Sequence, residues 1–197
     1  MENISAFIAG RMCKLEIIRE DDLKFYAYSI QLLLERTIGL ILIGIFALAF
    51  GSFFEVAVFV ITFALIRIHS DGLHCKTSIG CCISSVLLSL SSIPAAAWLM
   101  VNSIICKECV MLAVVVIFAI GTIRDPNLDL SDEEFFRLRI RSRIGISIIG
   151  LIVLSLLLIL PENSLVYYSS VGVIYNALNL IAVKILRREV SKNEQEC

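Results

Sequence analysis

The apolar residues of this chain come in long uninterrupted blocks, and that arrangement decides the fold class. From Thr37 to Ile66 only Glu55 carries a charge. Comparable runs follow at 79–101, 109–123, 144–160 and 164–186. A block of about 20 apolar residues spans a bilayer as a helix, because a spanning segment must satisfy its backbone polar groups internally. Hydrophobic content is 58%, against about 45–50% for a soluble domain. The sequence therefore reads as an all-α integral membrane protein. Neither composition nor charge pattern points to a nucleic-acid partner.

The first block is too long for one span. Thirty residues would rise about 45 Å, against a hydrocarbon thickness of about 30 Å. Gly51-Ser52 offers a turn, and Glu55 would lie near water. The block divides into spans 36–51 and 54–69, giving six in all with 79–101, 109–123, 144–160 and 164–186. Pro94 is expected to bend the third. No internal repeat is evident, so 1–197 reads as one membrane-embedded domain.

Residues 1–35 form a cytoplasmic or interfacial segment. Ile4, Phe7, Ile8, Met12, Leu15 and Ile18 recur at helical spacing. They predict an amphipathic helix over 1–24, lying on the membrane surface or packed on the rest of the chain. Mixed charges there and a late first apolar core argue against a cleaved signal.

Loop charge sets the orientation. Arg124, Arg137, Arg139, Arg141 and Arg143 lie between spans four and five. Lys184 stands at the end of span six, Arg187, Arg188 and Lys192 follow it, and Arg67 and Lys76 belong to the loop stretch after span two. Arg11, Lys14, Arg19 and Lys24 precede span one. The remaining loops hold only Lys107. Six spans put every basic segment on one face, with both termini cytoplasmic.

The loop after span two carries the chemistry. Arg67-Ile68-His69-Ser70-Asp71-Gly72-Leu73-His74-Cys75-Lys76-Thr77-Ser78-Ile79-Gly80-Cys81-Cys82 holds both histidines and three of the seven cysteines. Imidazole beside thiol can serve as a base and nucleophile, or as metal ligands. His74 and Cys81 are seven residues apart, which on one straight helix means about 10.5 Å of rise. A nucleophile and its base must meet at about 2.6–3.2 Å, so the chain has to bend between them. Gly72 and Gly80 are available hinges, Thr77 or Ser78 a helix cap. Cys81 then falls in the first turns of span three, where the helix amino terminus favours a thiolate.

Arg67, Gly72-Leu73-His74, Lys76-Thr77-Ser78 and Cys81 resemble the signature of the accessory gene regulator B (AgrB) family of bacterial membrane cysteine endopeptidases. The resemblance covers most of the chain, including the Asp125-Pro126-Asn127 loop before the arginine-rich stretch. It departs at Leu128-Asp129-Leu130, Cys75 and Cys82, which bear on substrate identity rather than on the reaction. It implies that Cys81 is the nucleophile and His74 the general base, with Arg67, Gly72, Lys76 and Ser78 supporting the site; Asp71, by its position three residues before His74 and not by the resemblance, is a weaker candidate to orient it. The resemblance also implies an AgrD-type propeptide as substrate, cleaved through an acyl-thioester and released as a cyclic thiolactone or lactone. That chemistry needs no cofactor and no metal. The arginine cluster at 137–143 is a topology signal that could also attract an acidic propeptide tail.

His69, Cys75 and Cys82 read as structural or filling residues. Cys106 and Cys109 form a lone C-x-x-C expected on the outer face, one helical turn apart, either packed or joined as a disulfide. A homodimer is expected, since small membrane enzymes often bury helix faces that way. Two other functions fit more weakly. A peptide transporter would carry ionisable residues or broken helices at mid-bilayer, and spans four to six hold almost none. A thiol or metal sensor would use His69, His74, Cys75, Cys81 and Cys82, whose spacing matches no standard zinc pattern.

Overall fold

The computed structural model describes residues 2–15, 17–70, 78–121 and 132–195. Every regular element among them is helical. In order they are α1 (Glu2–Lys14), α2 (Leu23–Ala49), α3 (Phe53–Ser70), α4 (Ser78–Val101), α5 (Ser103–Ile120), α6 (Asp132–Ile159) and α7 (Ser164–Gln195), with a short 3-10 turn at Glu20–Asp22. Five segments are long and apolar enough to cross a membrane: Glu20–Ala49, Cys82–Val101, Ser103–Ile120, Arg139–Ile159 and Ser164–Ile185. These make the chain a multi-pass membrane protein. Large apolar side chains such as Ile41, Leu112, Val115 and Leu151 stay uncovered on them, as expected of faces turned to lipid.

The helix ends differ from those expected in four places. The amino-terminal helix stops at Lys14 rather than 24, and α2 begins at Leu23 rather than 36. The acidic triplet Glu20-Asp21-Asp22 favours the early start of α2, since carboxylates are favourable just ahead of a helix amino terminus. Next, α5 starts at Ser103 rather than 109. The Cys106 N–H bonds to the Asn102 carbonyl at 3.0 Å, and Cys106 and Cys109 lie one helical turn apart inside α5, as expected. Both are free thiols. Third, α6 starts at Asp132 rather than 144, so the arginine-rich stretch is helix. Its acidic first turn and helix-favouring arginines need no apolar run to stay helical. Last, α7 continues past 186 to Gln195.

Other boundaries agree with expectation. Gly51, at φ 66°, ends α2 in a left-handed conformation, and the Val56 N–H bonds to the Ser52 carbonyl at the start of α3. Helix α4 runs without interruption through Pro94. The proline leaves a carbonyl of the preceding turn without its usual donor. Beside it the Tyr175 hydroxyl lies 3.1 Å from Ser91 Oγ and donates to the Ser91 carbonyl at 3.3 Å. The carbonyl that Pro94 frees is that of Leu90, so the Tyr175 bond ties α7 to the turn before the proline without replacing the lost donor.

The chain forms two compact units, Met1–Phe50 with Cys75–Leu88, and Gly51–His74 with Ser89–Cys197. In the first, α1 packs on α2. The side of α1 that is covered holds the small residues Ser5 (2% exposed) and Ala9 (0%), while Phe7 stays 69% exposed and Ile4 57%. The large apolar stripe is thus left bare, and small residues make the close approach, as between helices in lipid. Phe7 and Ile4 are free to enter the bilayer surface.

In the second unit α7 is central, packing on α3, α5 and α6. Val166, Tyr167, Val171, Val173, Ala177, Leu180 and Val183 are all buried. Gly172 permits close contact with α3: a Cβ there would meet Thr62 Cβ at 3.2 Å and the Phe59 carbonyl at 3.3 Å. Asn176 Nδ2 then donates across the interface to the Phe63 carbonyl at 3.1 Å and back to the Gly172 carbonyl at 2.9 Å. Phe59 stacks on Phe63 and meets Tyr175 edge-on. Between α5 and α6, a Cβ on Gly150 would collide with Val114. Asn163 caps α7, its Oδ1 accepting the Leu165 N–H at 3.0 Å.

Candidate functional site

Helix α3 closes at Ser70 and α4 opens at Ser78. The His/Cys stretch straddles this junction. Arg67 stands in the last turns of α3, half-buried, its Cζ 5.9 Å from the centre of the Phe63 ring. That is within cation–π range. Phe63 in turn stacks on Phe59, so the arginine rests on a ring held by the α3 core. His69 belongs to the same helix end. Ser78 is the first residue of α4 and Cys81 the fourth. The thiol-bearing residue is therefore in the first turn of a helix, as its spacing from Gly72 and Thr77 predicts. Asp71, Gly72, His74, Cys75 and Lys76 lie outside the described residues.

Around the Cys81 turn the helix is built to come close to its neighbours. Gly80 is half-buried, and its carbonyl accepts a hydrogen bond from Ser84 Oγ at 2.8 Å. Cys82, a free half-buried thiol, lies beside Gly39 of α2, where a Cβ would be 3.8 Å from its Sγ. Cys82 thus fills space against α2. Gly39 was not among the residues singled out from the sequence. A buried glycine at mid-helix in an apolar block is the signal that could have found it. Among the described residues, no three His, Cys, Asp or Glu side chains gather as a metal-binding group.

Taken each by itself, the start of α4 carries a cysteine in its first turn and the end of α3 carries an arginine. The two ends are joined by a short segment that contains the histidine. Orphan N–H groups and the helix dipole at such a terminus stabilise negative charge. The same features serve a thiolate and, later in a reaction, an acyl oxyanion.

No curated protein and no solved structure matches this chain. The family model described as accessory gene regulator B matches residues 2–183, nearly its whole length. The chain therefore belongs to the accessory gene regulator B family.

Proposed function

We propose that this protein is a membrane cysteine endopeptidase that cleaves an AgrD-type propeptide and promotes its cyclisation. Family membership supports a role in the accessory gene regulator quorum-sensing system. The observation that carries the finer reading is the position of Cys81 in the first turn of α4, seven residues after His74.

In this reading His74 takes the thiol proton of Cys81, and the thiolate attacks a peptide carbonyl in the carboxyl-terminal part of the propeptide. The tetrahedral oxyanion collapses, the C–N bond breaks, and His74 returns the proton to the departing amine. The amino-terminal part stays on Cys81 as a thioester. A thiol or hydroxyl within that part then attacks the thioester carbonyl, closes a ring and frees the Cys81 thiol. The thioester preserves the activation of the acyl group, so ring closure needs no nucleotide. It does need water kept away, which a site at the bilayer edge favours. Arg67, Gly72, Lys76, Ser78 and Asp71 support the site.

Topologically, α3 joins the five apolar segments as a sixth span. Its 18 residues rise about 27 Å, close to the hydrocarbon thickness. Six spans gather the basic segments on one face, with both termini and the Cys81 turn cytoplasmic. The chain acts as one membrane-embedded peptidase domain and pairs as a homodimer.

The reading is tested by trapping the intermediate. Purified protein mixed with propeptide should gain the mass of the propeptide's amino-terminal part on Cys81, and hydroxylamine should remove it. Absence of any adduct, in a preparation that nonetheless cleaves the propeptide, would exclude the acyl-thioester route.

A further inference from the structure

Helix α6 turns two positive charges toward its packed side. Arg139 and Arg143 are four residues apart and so share one face. Along the helix that face continues as Ser142, Ile146, Val153 and Leu157, all buried. Both arginine stems cross Gly121 at the end of α5. A Cβ on Gly121 would lie 3.3 Å from Arg143 Nε and 3.4 Å from Arg139 Nε, so the two guanidinium groups are neighbours. Arg143 Cζ also sits 5.3 Å from the centre of the Phe118 ring. Both Nε atoms are buried, and neither has a hydrogen-bond acceptor among the described residues.

A buried charged donor without an acceptor is costly, and two adjacent cations repel. The face is completed by an anion able to accept from both forks at once. The guanidinium fork matches phosphate and carboxylate geometry bidentately. Position chooses between them. Arg139 opens the apolar segment Arg139–Ile159, and Gly121 directly follows the apolar segment Ser103–Ile120. The pair thus sits where two hydrocarbon-length segments end together, the level occupied by phospholipid phosphates. Arg137 and Arg141, on the opposite side of α6, are exposed and available to solutes arriving from water. Gly121 keeps the floor of the cradle open, since any side chain there would fill it.

We propose that Arg139 and Arg143, over Gly121 and beside Phe118, form a binding site for the phosphate of an anionic phospholipid headgroup. The site is independent of the peptidase reading. It is tested on the full chain in neutral detergent, with phosphatidylglycerol, phosphatidylcholine and inorganic phosphate as probes, by native mass spectrometry. Phosphatidylglycerol should bind at least about tenfold tighter than phosphatidylcholine, and inorganic phosphate should not displace it. Arg139→Gln/Arg143→Gln should abolish that preference, and Arg137→Gln/Arg141→Gln should leave it intact. Equal loss in both double variants, displacement by inorganic phosphate, or preferential capture of an acidic peptide by the Arg139/Arg143 pair would overturn the proposal. A measurement on the unsubstituted protein covers the case in which the variants do not fold. In phosphatidylglycerol vesicles, Arg139 and Arg143 should be protected from phenylglyoxal while Arg137 and Arg141 still react. In phosphatidylcholine vesicles that protection should vanish, and its persistence would equally contradict the site.

Discussion

Asn176 of α7 donates its side-chain N–H to the Phe63 carbonyl of α3 at 3.1 Å, in the middle of a buried helix pair. The second N–H returns to the Gly172 carbonyl of its own helix. A polar side chain thereby fixes the register of α3 on α7, and Arg67 is carried one turn beyond Phe63. Replacing Asn176 by Ala should destabilise the protein by about 1–2 kcal/mol, the upper range for an interhelical hydrogen bond in lipid plus lost packing. Thermal unfolding in detergent reads this as a lowered midpoint. An unchanged midpoint would mean that the bond contributes nothing to register.

Three helix glycines should separate by sign. Gly150 faces Val114 so closely that any Cβ collides, and Gly172 faces α3 backbone at 3.3 Å. Gly150→Ala and Gly172→Ala should each cost about 1–3 kcal/mol, the usual range for overpacking. Gly39 has 3.8 Å to Cys82 Sγ, which is ordinary contact. Gly39→Ala should therefore stabilise α2 by up to about 1 kcal/mol through reduced chain entropy. The order of the three unfolding midpoints tests the close approaches directly.

Gly121 and Gly51 make a second contrast. Both have positive φ, but Gly51 has open space around its Cα, whereas Gly121 lies beneath Arg139 and Arg143. At φ 65° and ψ −158°, Gly121 occupies a region open essentially to glycine alone, which costs another residue about 1–3 kcal/mol. Gly121→Ala should lower the unfolding midpoint more than Gly51→Ala. The reverse order would show that the arginine stems yield freely.

Much of this architecture is written in the apolar blocks, but only where a helix lies in hydrocarbon. The Gly51-Ser52 turn and the placement of Cys81 at a helix start were legible because glycine and small capping residues interrupt the apolar pattern there. The amino-terminal ends of α2, α5 and α6 were not, because charged residues inside these helices read as loop. Lys24, Glu35 and Arg36 lie within α2, Lys107 within α5, and Arg137 to Arg143 within α6. An apolar count reports where lipid is, not where a helix ends. The packed side of α1 was missed for a related reason. In water Ile4 and Phe7 would mark the contact, but beside lipid Ser5 and Ala9 make it, and the large residues stay outside. In the site, residue types and spacing named the Cys81 turn, while the Gly39 contact with Cys82 came only from the packing of α2.

The two chemical roles proposed for Cys81 and His74 predict different failures. Cys81→Ala removes the nucleophile, so no acyl-protein can form. His74→Ala leaves a thiol without its base, and proton transfer to a positioned base contributes about 10²- to 10⁴-fold in rate. Propeptide cleavage by His74→Ala should fall by that order, and part of the loss should return at alkaline pH, where the thiol ionises unaided. Single-turnover cleavage across a pH series separates this from a merely structural histidine, whose loss alkali would not repair.

The most direct test of the peptidase reading is co-expression of this chain with its AgrD-type propeptide, comparing the unsubstituted protein with Cys81→Ala by mass spectrometry of the peptide products. The account predicts a peptide truncated at its carboxyl-terminal side and one water lighter than the linear fragment, made by the unsubstituted protein alone, with Cys81→Ala inserted in the membrane at equal level. The same truncated, cyclised product from Cys81→Ala would contradict it.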